Sequence, residues 1–187
     1  ELLQKITLIP IHQVTDKIQV EPDHIYVIPP NKLLTAHDGI LNLTNRPPKS
    51  YHSLPIDIFF SSLAVVDHGQ AIGVVLSGTG KDGTLGLKTI KQNGGVTFAQ
   101  DHYSANFNEM PQNAIDAKVV DFILPPEGIV HKLIKISKVM GTEKPTPDRP
   151  ENSHFRSILA ILDHHKGVDF TYYKQTTIKR RILRRMG

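Results

Sequence analysis

Apolar positions along the chain switch between a period of two and a period near 3.6, and the switches mark out elements. VEPDHIYVIPP (20–30) holds a short run from Ile25 to Ile28 bounded by prolines, which predicts a strand. In LLTAHDGILNLT (33–44) apolar residues alternate on both sides of Asp38-Gly39, the pattern of a β-hairpin with a two-residue turn. RPPKSYHSLP then reads as a loop. In IDIFFSSLAVVD (56–67), Ile56, Phe59, Phe60 and Leu63 fall on one helical face. AIGVVLS (71–77) is an unbroken apolar run, as expected of a strand buried on both faces. Residues 83–92 read as a helix stopped by Asn93-Gly94-Gly95. VTFAQD (96–101) reads as a strand and MPQNAIDA (110–117) as a short helix with proline near its start. VVDFILPP (119–126) is a third strand, and EGIVHKLIKISKVM (127–140) an amphipathic helix. Strand–helix repetition of this kind predicts an α/β fold, a mostly parallel sheet covered by helices, with a β-hairpin ahead of it.

The pattern breaks at GTEKPTPDRPEN (141–152), where prolines and polar residues predict a semi-rigid linker between domains. Domain 1–140 is thus followed by linker 141–152 and by a short all-α segment, 153–187. There Phe155, Ile158, Leu159 and Leu162 mark one helix, and Ile178, Ile182 and Met186 a second. The second segment carries too little apolar surface for a core of its own. The chain opens on ELLQKITLIPIH, with neither a starting Met nor a signal-peptide pattern, as if cut from something longer.

Charge changes this picture only at one end. The formal net charge is +4, but residues 151–187 hold eight Lys/Arg against three Asp/Glu. The basicity belongs to the C-terminal segment, and no aromatic interleaving or recognition module accompanies it to suggest a nucleic-acid partner. There is no cysteine, hence no disulfide framework or thiolate metal site, which is compatible with a reducing cytoplasm. No apolar run approaches the roughly 18 residues of a membrane span. The histidines show no metal-ligand spacing, and His164 and His165 read as helix-terminus residues.

LSGTGKDGTLGLKTIK (76–91) carries the candidate chemistry, and it has three readings. Gly78, Gly80 and Gly83 match G-x-G-x-x-G between a strand and a helix, with Asp101 ending the next strand, as in a Rossmann-type dinucleotide site. Against it, Asp82 puts an anion where a pyrophosphate belongs. A P-loop fails, because Val75 stands at the required first glycine and Asp82 at the magnesium-binding Ser or Thr. The second reading is structural, with Asp82 capping the helix that follows it. The third is catalytic, with Asp82 at a strand end orienting a histidine that activates a serine, beside loop amides that stabilise an oxyanion. An aspartate held by helix amides keeps its charge and its direction.

SGTGKDGTLGLKTIKQNGG, with QD, MPQNAI and DFILPP after it and VEPDHIYVIPPNKLL and LPIDIFFSSLA before it, resembles the catalytic domain of the chemotaxis receptor methylesterases. These are bacterial cytoplasmic serine hydrolases that remove methyl esters from receptor glutamates. The resemblance covers nearly all of residues 1–140. It implies that Asp82 is the acidic member of a Ser-His-Asp triad and that Thr79, where methionine is usual, lends a backbone N–H to the oxyanion. Glu109 stands before Met110-Pro111 where the family commonly has glycine. The family's nucleophile lies in a G-x-S-x-G-G turn after its first strand, and its histidine follows the next. Neither segment is present, Ser77 is expected at a buried strand end, and His102 is expected on the surface. These 187 residues alone are therefore expected to lack esterase activity, and the missing strand is expected to leave sheet surface that another copy covers.

HFRSILAILDHHKGVDFTYYKQTTIKRRILRRMG (154–187) resembles the opening helices of the chemoreceptor methyltransferases. By that resemblance Lys174, Arg181, Arg184 and Arg185 contact the acidic methylation helices of a receptor, where positive charge is attracted. The S-adenosylmethionine site would lie in a further domain, so no cofactor is expected for this chain. The expected whole is a cytoplasmic methylesterase fused to a methyltransferase, acting on receptor helices. The other readings are a nucleotide-binding domain and a regulatory or scaffold segment without catalysis.

Overall fold

The computed structural model describes residues 3–47, 54–66 and 70–141. The chain divides into two compact units, Glu1–Ile129 and Val130–Gly187. The second is described only through residue 141, so the predicted linker and the basic helices lie outside the described residues.

Three small sheets make up the strand content. β1 (Ile11–Gln13) pairs in parallel with β3 (Ile25–Val27). β2 (Ile18–Gln19), β5 (Ile40–Asn45) and β4 (Lys32–His37) form an antiparallel sheet in the order β2-β5-β4. The hairpin between β4 and β5 turns on Asp38 and Gly39, whose φ angles of 48° and 76° are the paired left-handed conformation that a two-residue turn of this hand requires. β6 (Ile72–Val75), β7 (Val96–Gln100) and β8 (Phe122–Leu124) form a parallel sheet in that order. Helices α2 (Thr84–Gln92) and α3 (Glu109–Asp116) make the crossovers, and α4 (Pro126–Gly141) follows β8. The predicted α/β architecture is therefore present. β1, β2 and a 3₁₀ turn at Leu3–Lys5 go beyond the predicted elements.

The strand buried on both faces is β7 rather than β6. All five residues of β7 are buried, with β6 and β8 on its two edges. β6 is an edge strand among the described residues, and only Gly73 and Val75 of it are buried. An unbroken apolar run marks burial, and it does not say which strand stands at the centre. β8 is shorter than its apolar run, and Asp121 just before it bonds across to β7, its N–H donating to Thr97 C=O at 3.0 Å. Its carboxylate accepts from the N–H (3.0 Å) and hydroxyl (2.9 Å) of Thr97.

α1 (Pro55–Val66) is the element the rest is built around, and it is apolar on two sides. Phe59, Leu63 and Val66 pack on the core of Val14, Leu34, Ala36 and Leu41 beneath the antiparallel sheet. Phe60 and Ala64 meet Ala71, Ile90 and the second core of Val75, Leu87, Ala114 and Val119. The predicted stripe of α1 thus serves two cores at once.

α1 and α2 approach closely because glycine stands at the contact. A Cβ at Gly86 would lie 2.5 Å from Phe60 Cβ and 3.1 Å from the Asp57 Cα. α2 ends in a Schellman motif: Gly95 N–H donates to Ile90 C=O (2.8 Å), Gly94 N–H to Lys91 C=O (3.1 Å), and Gly94 has φ 86°.

The two helix starts also exchange carboxylates. Asp82, in the turn before α2, accepts from the Ile56 and Asp57 N–H groups of α1 at 3.1 and 2.9 Å. Asp57, in the first turn of α1, accepts from Gly86 N–H of α2 at 2.7 Å. Each acid thus caps the other's helix, satisfying amides that have no partner within their own helix. Asp82 was expected, on the structural reading, to cap α2. It caps α1 instead, because Gly83 at the α2 N-cap has φ 92° and a Cβ there would meet Ile56 and Val75 at 3.1 Å, so the turn lies against α1.

Two outcomes follow for stability. Gly86→Ala forces a methyl between α1 and α2, and urea unfolding should show a loss of about 1–3 kcal/mol. Asp57 is 6% exposed, and burial raises its pKa above the ordinary 3.8; the Gly86 N–H lowers it partway and the charge of Asp82 raises it again. Its folded carboxyl keeps a proton that the unfolded one releases, so its contribution is full below the unfolded value and is lost as pH rises through the folded value. Asp57→Asn keeps an acceptor for Gly86 and removes that loss. Its stability relative to wild type should therefore climb in urea titrations as pH rises through and above the ordinary carboxyl value of 3.8. A difference that stays flat with pH would contradict this account of the buried acid.

Candidate active site

The loop leaving β6 sits at the carboxyl end of the parallel sheet, the edge where α/β folds place their ligands. It is stitched to the segment that leads into α3. Ser77 N–H donates to the Gln100 side chain (2.8 Å), and the Ser77 hydroxyl accepts from Phe107 N–H (2.9 Å). Gly78 N–H donates to Phe107 C=O (2.8 Å), and Met110 N–H donates to Gly78 C=O (3.0 Å). A Cβ at Gly78 would lie 2.5 Å from Met110 Sδ, so the glycine is what lets the two strands of chain touch. Gly80, with φ 86°, donates its N–H to Glu109 (2.8 Å) and accepts on its C=O from the Asn113 amide (2.9 Å).

Thr79 lies between these two glycines and is exposed. Of the three peptide N–H groups of Gly78-Thr79-Gly80, only that of Thr79 has no acceptor among the described residues. An unspent N–H on an exposed residue, between two glycines whose own N–H and C=O groups are bonded, is what an oxyanion donor requires.

Asp82 lines an open cleft of about 740 Å³ together with Pro29, Ile56, Phe59, Phe60 and Val74, with Lys32 and Arg46 also on its wall. The cleft is mostly apolar, and Asp82 is its one acidic residue. Both oxygens of Asp82 are held by α1 amides, which fix the direction of the carboxylate while its remaining lone pairs stay available. A cleft of similar size, about 760 Å³, is lined by Val14, Asp16, Lys32 and Leu43 among others and contains none of residues 77–83. Its acid, Asp16, is engaged by Leu43 N–H at 2.9 Å.

The glycine spacing does not make a phosphate cradle. The Gly80 N–H that would meet a pyrophosphate is taken by Glu109. Asp101, the candidate ribose ligand, bonds inward to the Ser104 hydroxyl (2.7 Å) and to the N–H groups of Ser104 (3.1 Å) and Tyr103 (2.9 Å). The Ser104 hydroxyl is the main cause of its lowered pKa, with those amides adding to it.

Ser77 departs from expectation: it is exposed, not buried, because β6 ends at Val75 and the chain has already turned outward. His102 is exposed as expected, with Nδ1 2.6 Å from the Asn108 amide nitrogen. Among the described residues no serine hydroxyl is bonded to a histidine, and no cluster of three or more potential metal ligands occurs. Lys174, Arg181, Arg184 and Arg185 lie outside the described residues. Sequence reasoning passed over Asp57; the signal for it was an acid in the first turn after Pro55, a helix-start preference.

Comparison with known proteins gives these features a context. Residues 1–133 match the CheB methylesterase family, and residues 153–187 match the all-alpha domain of the CheR methyltransferases. A Rhodobacter capsulatus protein, the uncharacterized 104.1 kDa protein in the hypE 3′ region, is 34% identical over 210 residues; these cover 100% of this chain and 22% of that protein. The putative protein-glutamate methylesterase/protein-glutamine glutaminase of Leptospira interrogans is 33% identical, covering 73% of this chain and 72% of that one. Protein-glutamate methylesterase/protein-glutamine glutaminase 2 of Burkholderia pseudomallei is 41% identical over 100 residues, with 52% of this chain and 29% of that protein covered. The chain thus spans only 22% and 29% of the Rhodobacter and Burkholderia relatives. The crystal structure of the Thermotoga maritima CheB methylesterase catalytic domain superposes with a TM-score of 0.58 at 29% identity, over 66% of this chain and 68% of that one. With the family matched over residues 1–133 and its fold shared, the chain belongs to the CheB methylesterase family.

Proposed function

We propose that this chain supplies the acid and an oxyanion donor of a glutamyl methylesterase acting on chemoreceptor helices, joined to the start of a receptor methyltransferase. The observation that carries the reading is Asp82, a carboxylate anchored by two amides of α1 while lining an apolar cleft at the strand end. An acid so held can accept the N–H of an imidazole and keep that ring aimed at a serine.

The chemistry follows from those roles. The serine oxygen attacks the ester carbonyl while the imidazole takes its proton. The Thr79 N–H donates to the oxygen that becomes negative, and Asp82 holds the imidazolium that forms. Collapse of the intermediate returns the proton to the departing methoxide, which leaves as methanol. Water then attacks the acyl-enzyme by the same proton path and releases the glutamate carboxylate. A side-chain amide would follow the same route with ammonia leaving, which is the second activity in the relatives' names. Serine and histidine come from outside the described residues. Hydrolysis of this kind asks for no cofactor, and S-adenosylmethionine belongs to the transferase chemistry.

Lys174, Arg181, Arg184 and Arg185 are proposed to hold the acidic methylation region of the receptor, whose glutamates attract them. That partnership, and a cytoplasmic setting, follow the family rather than any contact described above.

The test uses the intact parent protein and a peptide carrying a glutamyl γ-methyl ester, with methanol release as readout. Asp82→Asn should lower kcat by roughly a thousandfold or more, because the imidazole loses its orienting charge. Undiminished turnover in that variant, or stoichiometric NAD(H) binding abolished by it, would overturn the assignment.

A further inference from the structure

Glu109 is a residue that the reaction scheme above leaves without a role. It is exposed, it opens α3, and its carboxylate reaches back 29 residues to take the N–H of Gly80 at 2.8 Å. Asn113, one turn along the same helix face, donates to the Gly80 C=O at 2.9 Å. One helix therefore grips Gly80 at both its donor and its acceptor.

The grip matters because Gly80 has no other hydrogen bond among the described residues. A Cβ built on Gly80 would find no atom within 4 Å, so that side of the residue is open. Its φ of 86° is a conformation glycine can leave cheaply. On the other side of Thr79, Gly78 is bonded at both ends and pressed against Met110. The Gly78–Thr79 peptide, which carries the Thr79 N–H, is thus held through its carbonyl by Met110 N–H, while the Thr79–Gly80 peptide on the far side of the Thr79 Cα is held through its N–H by Glu109.

We propose that Glu109 is a positioning residue for the oxyanion donor: by anchoring the Thr79–Gly80 peptide it holds the Thr79 Cα, the far end of the peptide whose N–H is the donor. The inference rests on the esterase reading. Its carboxylate stands beside a place where negative charge develops, so its charge works against the reaction while its placement works for it. Placement governs, because a carboxylate this exposed is screened by water, whereas a displaced Thr79 Cα tilts the donor away from the oxyanion.

The experiment separates placement from charge. In the 15N-labelled 187-residue chain, amide exchange at Gly80 should accelerate about tenfold or more in Glu109→Ala and stay near wild type in Glu109→Gln, whose side-chain oxygen still accepts. In the intact parent protein, Glu109→Ala should lower kcat on the glutamyl ester by roughly ten- to a hundredfold with KM little changed. Glu109→Gln should restore kcat to within about twofold of wild type. Unchanged Gly80 exchange in the Ala variant, or a parent enzyme indifferent to that change, would overturn the proposal and leave the esterase reading standing. So would a Gln variant clearly faster than wild type, since the charge would then be the dominant effect. Wild-type parent protein inactive on glutamyl esters would remove the reading itself, and this inference with it.

Discussion

The structure depends on two carboxylates that each cap the other's helix. Asp82 holds the start of α1, and Asp57 holds the start of α2. Helix N-termini leave amides unsatisfied and carry partial positive charge, so bringing two of them together needs negative charge between them. Two acids so close repel, and Asp57 is buried as well, which its raised pKa registers. The arrangement holds because both oxygens of Asp82 and one of Asp57 are met by amides, and because Gly83 and Gly86 let the backbones come near enough for the bonds to form.

That packing constraint is also what gives the site its geometry. An acid that merely capped its own helix would point along α2. By capping α1 it is turned into the cleft beside β6, with both oxygens anchored. Thr79, the proposed oxyanion donor, is placed by a separate set of bonds, from the segment 107–113 to the loop 77–80. Acid and donor therefore share one short loop while being fixed by different elements. A disturbance of α3 reaches Thr79, and a disturbance of α1 reaches Asp82.

The charged C-terminal segment poses a different kind of question. Its match to the methyltransferase all-alpha domain and the esterase match before it place, within one chain, portions of two enzymes with opposed chemistry. One adds a methyl to a glutamate and the other removes it. Under the proposed function, a shared substrate helix would give such a junction its rationale, since residues that attract acidic helices near one site would raise their local concentration at the other.

Periodicity was enough to locate α1 to α4, the hairpin at Asp38-Gly39 and the three strands of the parallel sheet, because each rests on residues near one another in the chain. The same local evidence, read through its resemblance, singled out Asp82 and Thr79. It could not say that β7 rather than β6 is the central strand, since both are apolar runs and only the neighbours differ. Nor could it say which helix Asp82 caps, or that Glu109 spans 29 residues to Gly80. Those bonds join positions far apart in sequence, and their partners are chosen by where glycines let helices approach. The sequence by itself determined the hairpin, the helices and the strands of the parallel sheet, and through its resemblance it singled out the turn that carries Asp82. Tertiary structure alone decided the direction of each functional group, because direction is set by distant amides that no local pattern encodes.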